Sequence, residues 1–402
     1  MNKKISIFSI ISVFLVIAII VAITSCKKLK MEVAYEPVKS EIKSNPPYLR
    51  VFIENSGSMD GYMCNGSQLK DAIYDYVSDL NKFVKTADLN YINSQIIPYN
   101  GGLTSYIKDL NPSSFRMAGG DTSSSDLGSI IGNVLSTVND STVSIFVSDC
   151  ILDLPSKDAV KFLTNCEIRI KNEVISAQKR VPNLGIEILK LSSDFSGKYF
   201  YPNGEVEMLT DVKRPYYIWI MGDKNYLAKL NSEIPLSMLD KYGLEGSVSF
   251  SNASAIPFEI QNRGLTGNVI IPTGRGDYQA TVLADFRSTL QPDVAIQEKT
   301  NYNFNNPNLT IESISPITAK DSKFTHVINF TIPKGITVPD ECLTLKMPAL
   351  PAWINQSNDE SGVNVQKNLS KTTGIKYLIQ GVADAYKTEE VSGRMKFNLK
   401  TK

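Results

Sequence analysis

The run Val51-Phe52-Ile53-Glu54-Asn55-Ser56-Gly57-Ser58-Met59 holds the residues best suited to chemistry in this 402-residue chain. A short apolar stretch leads directly into a loop that offers a carboxylate at Glu54 and hydroxyls at Ser56 and Ser58, at alternate positions. Hard divalent cations such as Mg²⁺ take oxygen ligands and retain several waters, so such a loop suits one chemically. Other chemistries have less to stand on. There is one histidine and no Cys-x-x-Cys pair, which argues against zinc. A Ser-His-Asp hydrolase would need that lone His326 to reach a serine such as Ser56 or Ser58, and no Gly-x-Ser-x-Gly elbow is present. The chain is therefore expected not to be an enzyme, with a hydrolase the least favoured reading. Arg275-Gly276-Asp277 reads as a turn between two strands rather than as an adhesion motif.

Glu54-x-Ser56-x-Ser58 resembles the start of the metal-ion-dependent adhesion site of von Willebrand factor A domains, which opens Asp-x-Ser-x-Ser. The first position departs from that pattern, since Glu54 keeps the charge but reaches one methylene further. Two later segments extend the resemblance in the same chain order. Gly119-Gly120-Asp121-Thr122-Ser123-Ser124 precedes a helix-like run from Asp126, and Thr142-Val143-Ser144-Ile145-Phe146-Val147-Ser148-Asp149 is a buried-type strand ending in Ser-Asp. The resemblance implies Mg²⁺ or another divalent cation held by Glu54, Ser56, Ser58, Thr122 and Asp149; Asp121 and Asp126 are close enough in sequence to substitute as ligands or to support them, and Asp60 to sit at the rim. It also implies a protein partner that offers an acidic residue to the metal. A site that keeps the fold and has lost the metal is the alternative, leaving a structural or scaffolding role.

The ends of the chain bear on where it works. Asn2-Lys3-Lys4 is followed by an almost wholly apolar stretch over residues 5–23, and Ile23-Thr24-Ser25-Cys26 closes it with small residues before a cysteine. That ending resembles the bacterial lipobox, which implies a signal peptide over residues 1–25 and lipidation of Cys26. An uncleaved transmembrane anchor competes, because about 20 apolar residues can span a bilayer. Either arrangement tethers the remainder outside the cytoplasm. Lipoproteins of the Bacteroidota look similar, and their surface export resembles a signal of acidic residues after the lipidated cysteine. Lys27-Lys28-Leu29-Lys30 has none, so the expectation is a cell-envelope protein facing the periplasm. Removing residues 1–25 takes away Lys3 and Lys4 and no acid, moving the formal charge from +1 to −1. Nucleic-acid binding, which shows as a clustered basic surface, has no support. Cys64, Cys150, Cys166 and Cys342 have no disulfide-framework spacing; a Cys64–Cys150 bridge and buried free thiols both remain open.

These residues need elements to position them. Residues 26–47 are polar and proline-containing, the composition of a tether. From residue 48 the pattern is strand, helix, strand: a strand over 48–53, helical spacing over 67–85, a short strand at 95–99 and a second long helix over 157–179. Further strands are expected over 184–191 and 216–221, with an Asn203-Gly204 hairpin turn between them. This alternation predicts an α/β domain over 48–235 with a doubly wound, mostly parallel sheet. Ligands of such open sheets lie outside the carboxyl ends of the strands, where Glu54, Ser56, Ser58 and Asp149 fall. Over 236–402 short alternating runs between Gly, Pro and Asn clusters predict a β-rich, sandwich-like domain with one helix over 375–386.

Overall fold

The computed structural model describes residues 30–42, 44–64, 66–122, 126–155, 157–261, 269–272, 276–319, 322–387 and 390–401. The apolar segment of residues 5–23 and Cys26 lie outside these, as does Arg275 of the Arg-Gly-Asp run. Among the described residues no helix is long and apolar enough to cross a membrane.

Part of the segment read as tether is structured. Met31 and Val33 alternate with Lys30 and Glu32, a period of two, and the segment forms strand β1 (Lys30–Ala34) with Met31 and Val33 fully buried. A five-residue alternation inside a polar stretch is too short to stand out from the composition of a tether.

The candidate site sits on a seven-stranded sheet. Its strands are β2 (Tyr48–Glu54), β3 (Thr86–Ile92), β4 (Ile96–Pro98), β5 (Thr142–Ser148), β6 (Leu184–Phe200), β7 (Val206–Asp223) and β8 (Leu244–Ser251). The spatial order is β4-β3-β2-β5-β7-β6-β8. Apolar residues pack on both sides, because alternate positions of β2 point oppositely. Val51 and Ile53 meet Leu69, Ile73, Tyr76 and Leu80 of helix α1 (Gln68–Asn81). Phe52 faces the opposite layer, formed by α2 (Leu127–Thr137), α3 (Ala159–Arg180) and, from far along the chain, α5 (Ile375–Tyr386). Helix α4 (Lys224–Glu233) closes the α1 side. β5 is buried at every position, which explains its unbroken run of apolar and small residues.

The expected doubly wound, mostly parallel sheet does not form. Only β3, β2 and β5 are parallel neighbours; β4, β7, β6 and β8 all pair antiparallel, so the sheet is mixed. The reason lies in the hairpin. A parallel neighbour needs a crossover of a dozen or more residues, whereas a tight turn allows only an antiparallel return. Helix α3 carries the chain past one strand position to β6, and the turn at Asn203-Gly204, with Gly204 at φ +85°, sends β7 back into the gap beside β5.

The later residues build two antiparallel sheets over one apolar core. They add strands β9 (Ser254–Ala255), β10 (Phe258–Ile260), β11 (Val269–Pro272), β12 (Tyr278–Ala284), β13 (Tyr302–Phe304), β14 (Thr310–Pro316), β15 (His326–Ile332), β16 (Val338–Lys346), β17 (Asn358–Asp359), β18 (Thr372–Thr373) and β19 (Val391–Thr401). One sheet runs β11-β1-β19-β16-β13, with β9 parallel beside β19; the other runs β10-β12-β15-β14, and β17 and β18 pair parallel by themselves. Val33, Phe258, Tyr278, Phe330, Leu343 and Phe397 meet between them. Two pieces of this later region serve the first sheet instead. β8 is its edge strand, and Gly381 lets α5 lie against α3, since a Cβ there would stand 2.5 Å from the Glu167 carbonyl oxygen.

Candidate functional site

β2 and β5 lie side by side and parallel, with Ile53 opposite Val147, so their carboxyl ends deliver Glu54 and Asp149 to one place. Both carboxylates are buried. The loop after β2 turns at once: the Met59 N–H donates to the Ser56 carbonyl at 3.1 Å, and a 3₁₀ turn follows over Met59–Tyr62. That turn brings the Ser56 and Ser58 hydroxyls to 3.1 Å from each other.

A second loop closes on the first. The Gly57 N–H donates to the Thr122 carbonyl at 3.1 Å. Asn93, just past β3, joins the loops by donating to Asn55 Oδ1 at 2.8 Å and to the Gly119 carbonyl at 2.9 Å. Gly120 is required there: its φ is +74°, and a Cβ would fall 2.1 Å from Asn93 Oδ1. Ser56, Ser58 and Thr122 line a pocket of about 340 Å³, shared with Leu152, Asp153, Phe200 and Thr373.

The two buried carboxylates are held differently. The Ser148 hydroxyl donates to Glu54 Oε2 and itself accepts from the Cys150 N–H at 2.7 Å. Asp149 Oδ1 accepts from the Ile151 N–H at 3.2 Å, whereas Oδ2 is buried with no hydrogen-bond partner. Burial pushes the Asp149 carboxyl up; the Ser58 hydroxyl, the Ile151 N–H and the Arg214 guanidinium oppose that. Arg214 on β7 is itself buried, donates to the carbonyls of Asn368 and Leu369 at 3.4 and 3.1 Å, and stands 5.3 Å over the Tyr199 ring.

Of the remaining candidates, Asp60 is near but engaged. It pairs with Arg116 while its Oδ1 is buried without a partner, and burial raises its carboxyl against the pull of Arg116. Asp121 is exposed, its N–H donating to Ser94 Oγ at 3.2 Å. Asp126 caps α2 through the Ser129 N–H at 3.2 Å and forms an ion pair with Arg169 at 2.8 Å. Cys26 lies outside the described residues. His326 packs edge-on against Phe286 in the β-sandwich core, in a different layer from Ser56 and Ser58. Cys64, Cys150, Cys166 and Cys342 are all free thiols. Arg214, Asp153, Phe200 and Thr373 were not foreseen. Phe200 and Thr373 reach the pocket, and Arg214 reaches Asp149, from distant parts of the chain, and no local periodicity marks such residues; Asp153 follows Asp149 closely but carries no motif.

Ser56, Ser58 and Thr122 line the pocket and Ser58 acts on Asp149, while Glu54 is held by Ser148 on the neighbouring strand end; oxygen donors of this kind are what a hard cation takes. An unpartnered, buried carboxylate oxygen is costly unless something meets it. Asp149 Oδ2 is such an atom. Among the described residues no three His, Cys, Asp or Glu side chains converge, so a cation here would rest on hydroxyls and two carboxylates. No protein-family model matches the chain, and no curated protein matches it.

Proposed function

We propose that this chain is a lipid-anchored cell-envelope protein that binds a protein partner through a divalent cation at the carboxyl ends of β2 and β5. The observation that carries this reading is the buried, unpartnered Asp149 Oδ2 behind a pocket lined by Ser56, Ser58 and Thr122. Their resemblance to the adhesion-site motif adds weight. Charge favours the same reading. Glu54 and Asp149 are buried acids and Asp153 lines the pocket, while the buried Arg214 guanidinium acts on Asp149. A bound Mg²⁺ would supply a Lewis-acidic charge of two against these acids, with a coordination position left for a carboxylate from the partner. Ser56, Ser58 and Thr122 would hold the cation at the pocket face, with Glu54 and Asp149 behind.

Titration of MgCl₂ and MnCl₂ into the detergent-solubilised full-length protein is the test. Saturable heat is expected for the wild type, and its loss in the Ser56→Ala, Ser58→Ala double variant. The fold should survive in that variant, because both side chains sit on a loop at a pocket and their removal opens no core cavity. Equal affinity in wild type and double variant would place the cation elsewhere. A second reading, a scaffold protein whose cation site is a relic, is favoured by the Ser148 bond that already occupies one oxygen of Glu54.

The anchor part rests on the apolar segment that ends in small residues at Cys26. Metabolic labelling with a fatty-acid analogue should mark the wild type, while Cys26→Ser should remain unlabelled and either uncleaved or unanchored. An unlabelled wild type would overturn the anchor.

A further inference from the structure

The pocket has two unlike halves, and the second half says what kind of partner fits. One side is the hydroxyl-bearing loop. The other is mainly apolar: Phe200 at the end of β6, and Leu152 and Leu154 after β5, with Asp153 between the two leucines. Phe200 stands close to the loop, its ring 3.4 Å from where a Gly57 Cβ would lie, yet it is 46% exposed. It is held there by its neighbours. Tyr201 and Glu205 close the hairpin with a 2.9 Å backbone bond, and Gly197 packs against Gly61, where a Cβ would meet the Gly61 Cα at 2.5 Å. The opposite wall is fixed by the Leu152 N–H, which donates to the Thr373 carbonyl at 3.1 Å.

The surface continues this apolar character. Eleven large apolar residues stand exposed among the described residues; Phe200, Val206 and Met208 lie on this one hairpin, and Val363 faces Val206 across a shallow groove. Clustering of that kind, as opposed to scatter, marks an interaction surface. Beyond Phe200 the groove also carries Glu205 and Glu207, which would repel a second acid.

We propose that Phe200, Leu152 and Leu154 form a subsite for an apolar side chain, so that the partner presents one acidic residue beside an aromatic or branched aliphatic one, not an acidic run. This rests on the cation reading above. The space suffices: a cavity of about 150 Å³ holds benzene, and about 340 Å³ is present here. Association is driven by burying the partner's apolar side chain against Phe200, while its carboxylate sets the position.

Small carboxylates test this in the full-length, detergent-solubilised protein at saturating MgCl₂, followed by ligand-detected NMR. 3-Phenylpropionate is expected to bind at least tenfold tighter than acetate, and glutarate no tighter than acetate. Phe200→Ala should reduce the preference for 3-phenylpropionate to about twofold or less, and Phe200→Leu should keep most of it. Mg²⁺ affinity is measured separately in all three proteins, and each is assayed at the MgCl₂ concentration that saturates it. Equal binding of 3-phenylpropionate and acetate to Mg²⁺-loaded wild type, tighter binding of glutarate, or a preference unchanged in Phe200→Ala would overturn the subsite while leaving the cation site standing. Absence of Mg²⁺ binding by the wild type would overturn both.

Discussion

Glu187→Gln is expected to raise the melting temperature at pH 8 and to leave it nearly unchanged at pH 4. Glu187 lies on β6 between β7 and β8 and is 1% exposed. Asn231 of α4 donates to its Oε1 at 2.9 Å and the Ser249 hydroxyl reaches the same oxygen at 3.5 Å, but Oε2 is buried with no partner. Burial is the dominant influence, only partly offset by those two bonds, and pushes the carboxyl from 4.5 to about 7. The folded chain therefore holds this proton more tightly than the unfolded one. The resulting stability is complete below about pH 4.5 and is lost as pH rises through 7, an effect of roughly 3 kcal/mol once the group is fully ionised. Gln keeps the acceptor for Asn231 and removes the buried charge. Its own amide N–H groups then need partners, which costs less than a charge does, so a net gain of about 1 to 3 kcal/mol at pH 8 is expected. Burial raises Asp60 and Asp149 in the same direction, so the variant should retain a shallower slope, not a flat line. Urea melts from pH 4 to 8.5 measure the difference. Parallel stability curves for the two proteins would show that Glu187 is not the group that titrates.

What the sequence disclosed and what it hid follow from the range over which each signal acts. β2, β5 and the long helices were readable because burial imposes a local period. Helix α1 was expected over 67–85 and spans Gln68–Asn81; α3 was expected over 157–179 and spans Ala159–Arg180. The direction of strand pairing was only partly readable: Asn203-Gly204 marked a hairpin, but nothing local showed that β7 would return between β6 and β5. The inner part of β6 is buried at every position, but beyond Leu191 exposure and burial mix along it, and β7 is largely exposed before Pro215. The outer lengths therefore looked like loop, and two strands of 17 and 18 residues were taken for two short ones joined by more than a hairpin turn. The same limit applied at the site. Glu54, Ser56 and Ser58 announce themselves by spacing, and the strand end at Asp149 by its apolar run. Phe200, Arg214 and Thr373 join them only through the outer length of β6, the return of β7 and the placement of β18, which depend on contacts far apart in the chain. Helix α5 was visible as a helix but not as a cover for α3.

Mg²⁺ should raise the melting temperature of the wild type, and Glu54→Gln should abolish most of that rise. A ligand that binds only the folded state stabilises it by about 2.7 kcal/mol at a free concentration one hundred times its Kd. The effect should grow with pH, because burial holds the Asp149 carboxyl up, and a proton there competes with a cation. Glu54→Gln removes a charge at nearly constant shape, so it separates the carboxylate's charge from its packing. Glu54→Asp is the sharper variant. Shortening the side chain by one methylene withdraws it from Ser148, whose hydroxyl now donates to Glu54 Oε2. If that bond restrains a working ligand, Glu54→Asp binds Mg²⁺ as well as or better than the wild type. If the site is a relic, the wild type shows no Mg²⁺-dependent rise at all. Glu54→Gln then raises the metal-free melting temperature, because two buried carboxylates at adjacent strand ends repel each other and only one remains. Melts of the three proteins with MgCl₂ and with EDTA distinguish these outcomes. A Mg²⁺-dependent rise in the wild type that persists in Glu54→Gln would show that Ser56, Ser58, Thr122 and Asp149 suffice, and that Glu54 serves the strand end rather than the cation.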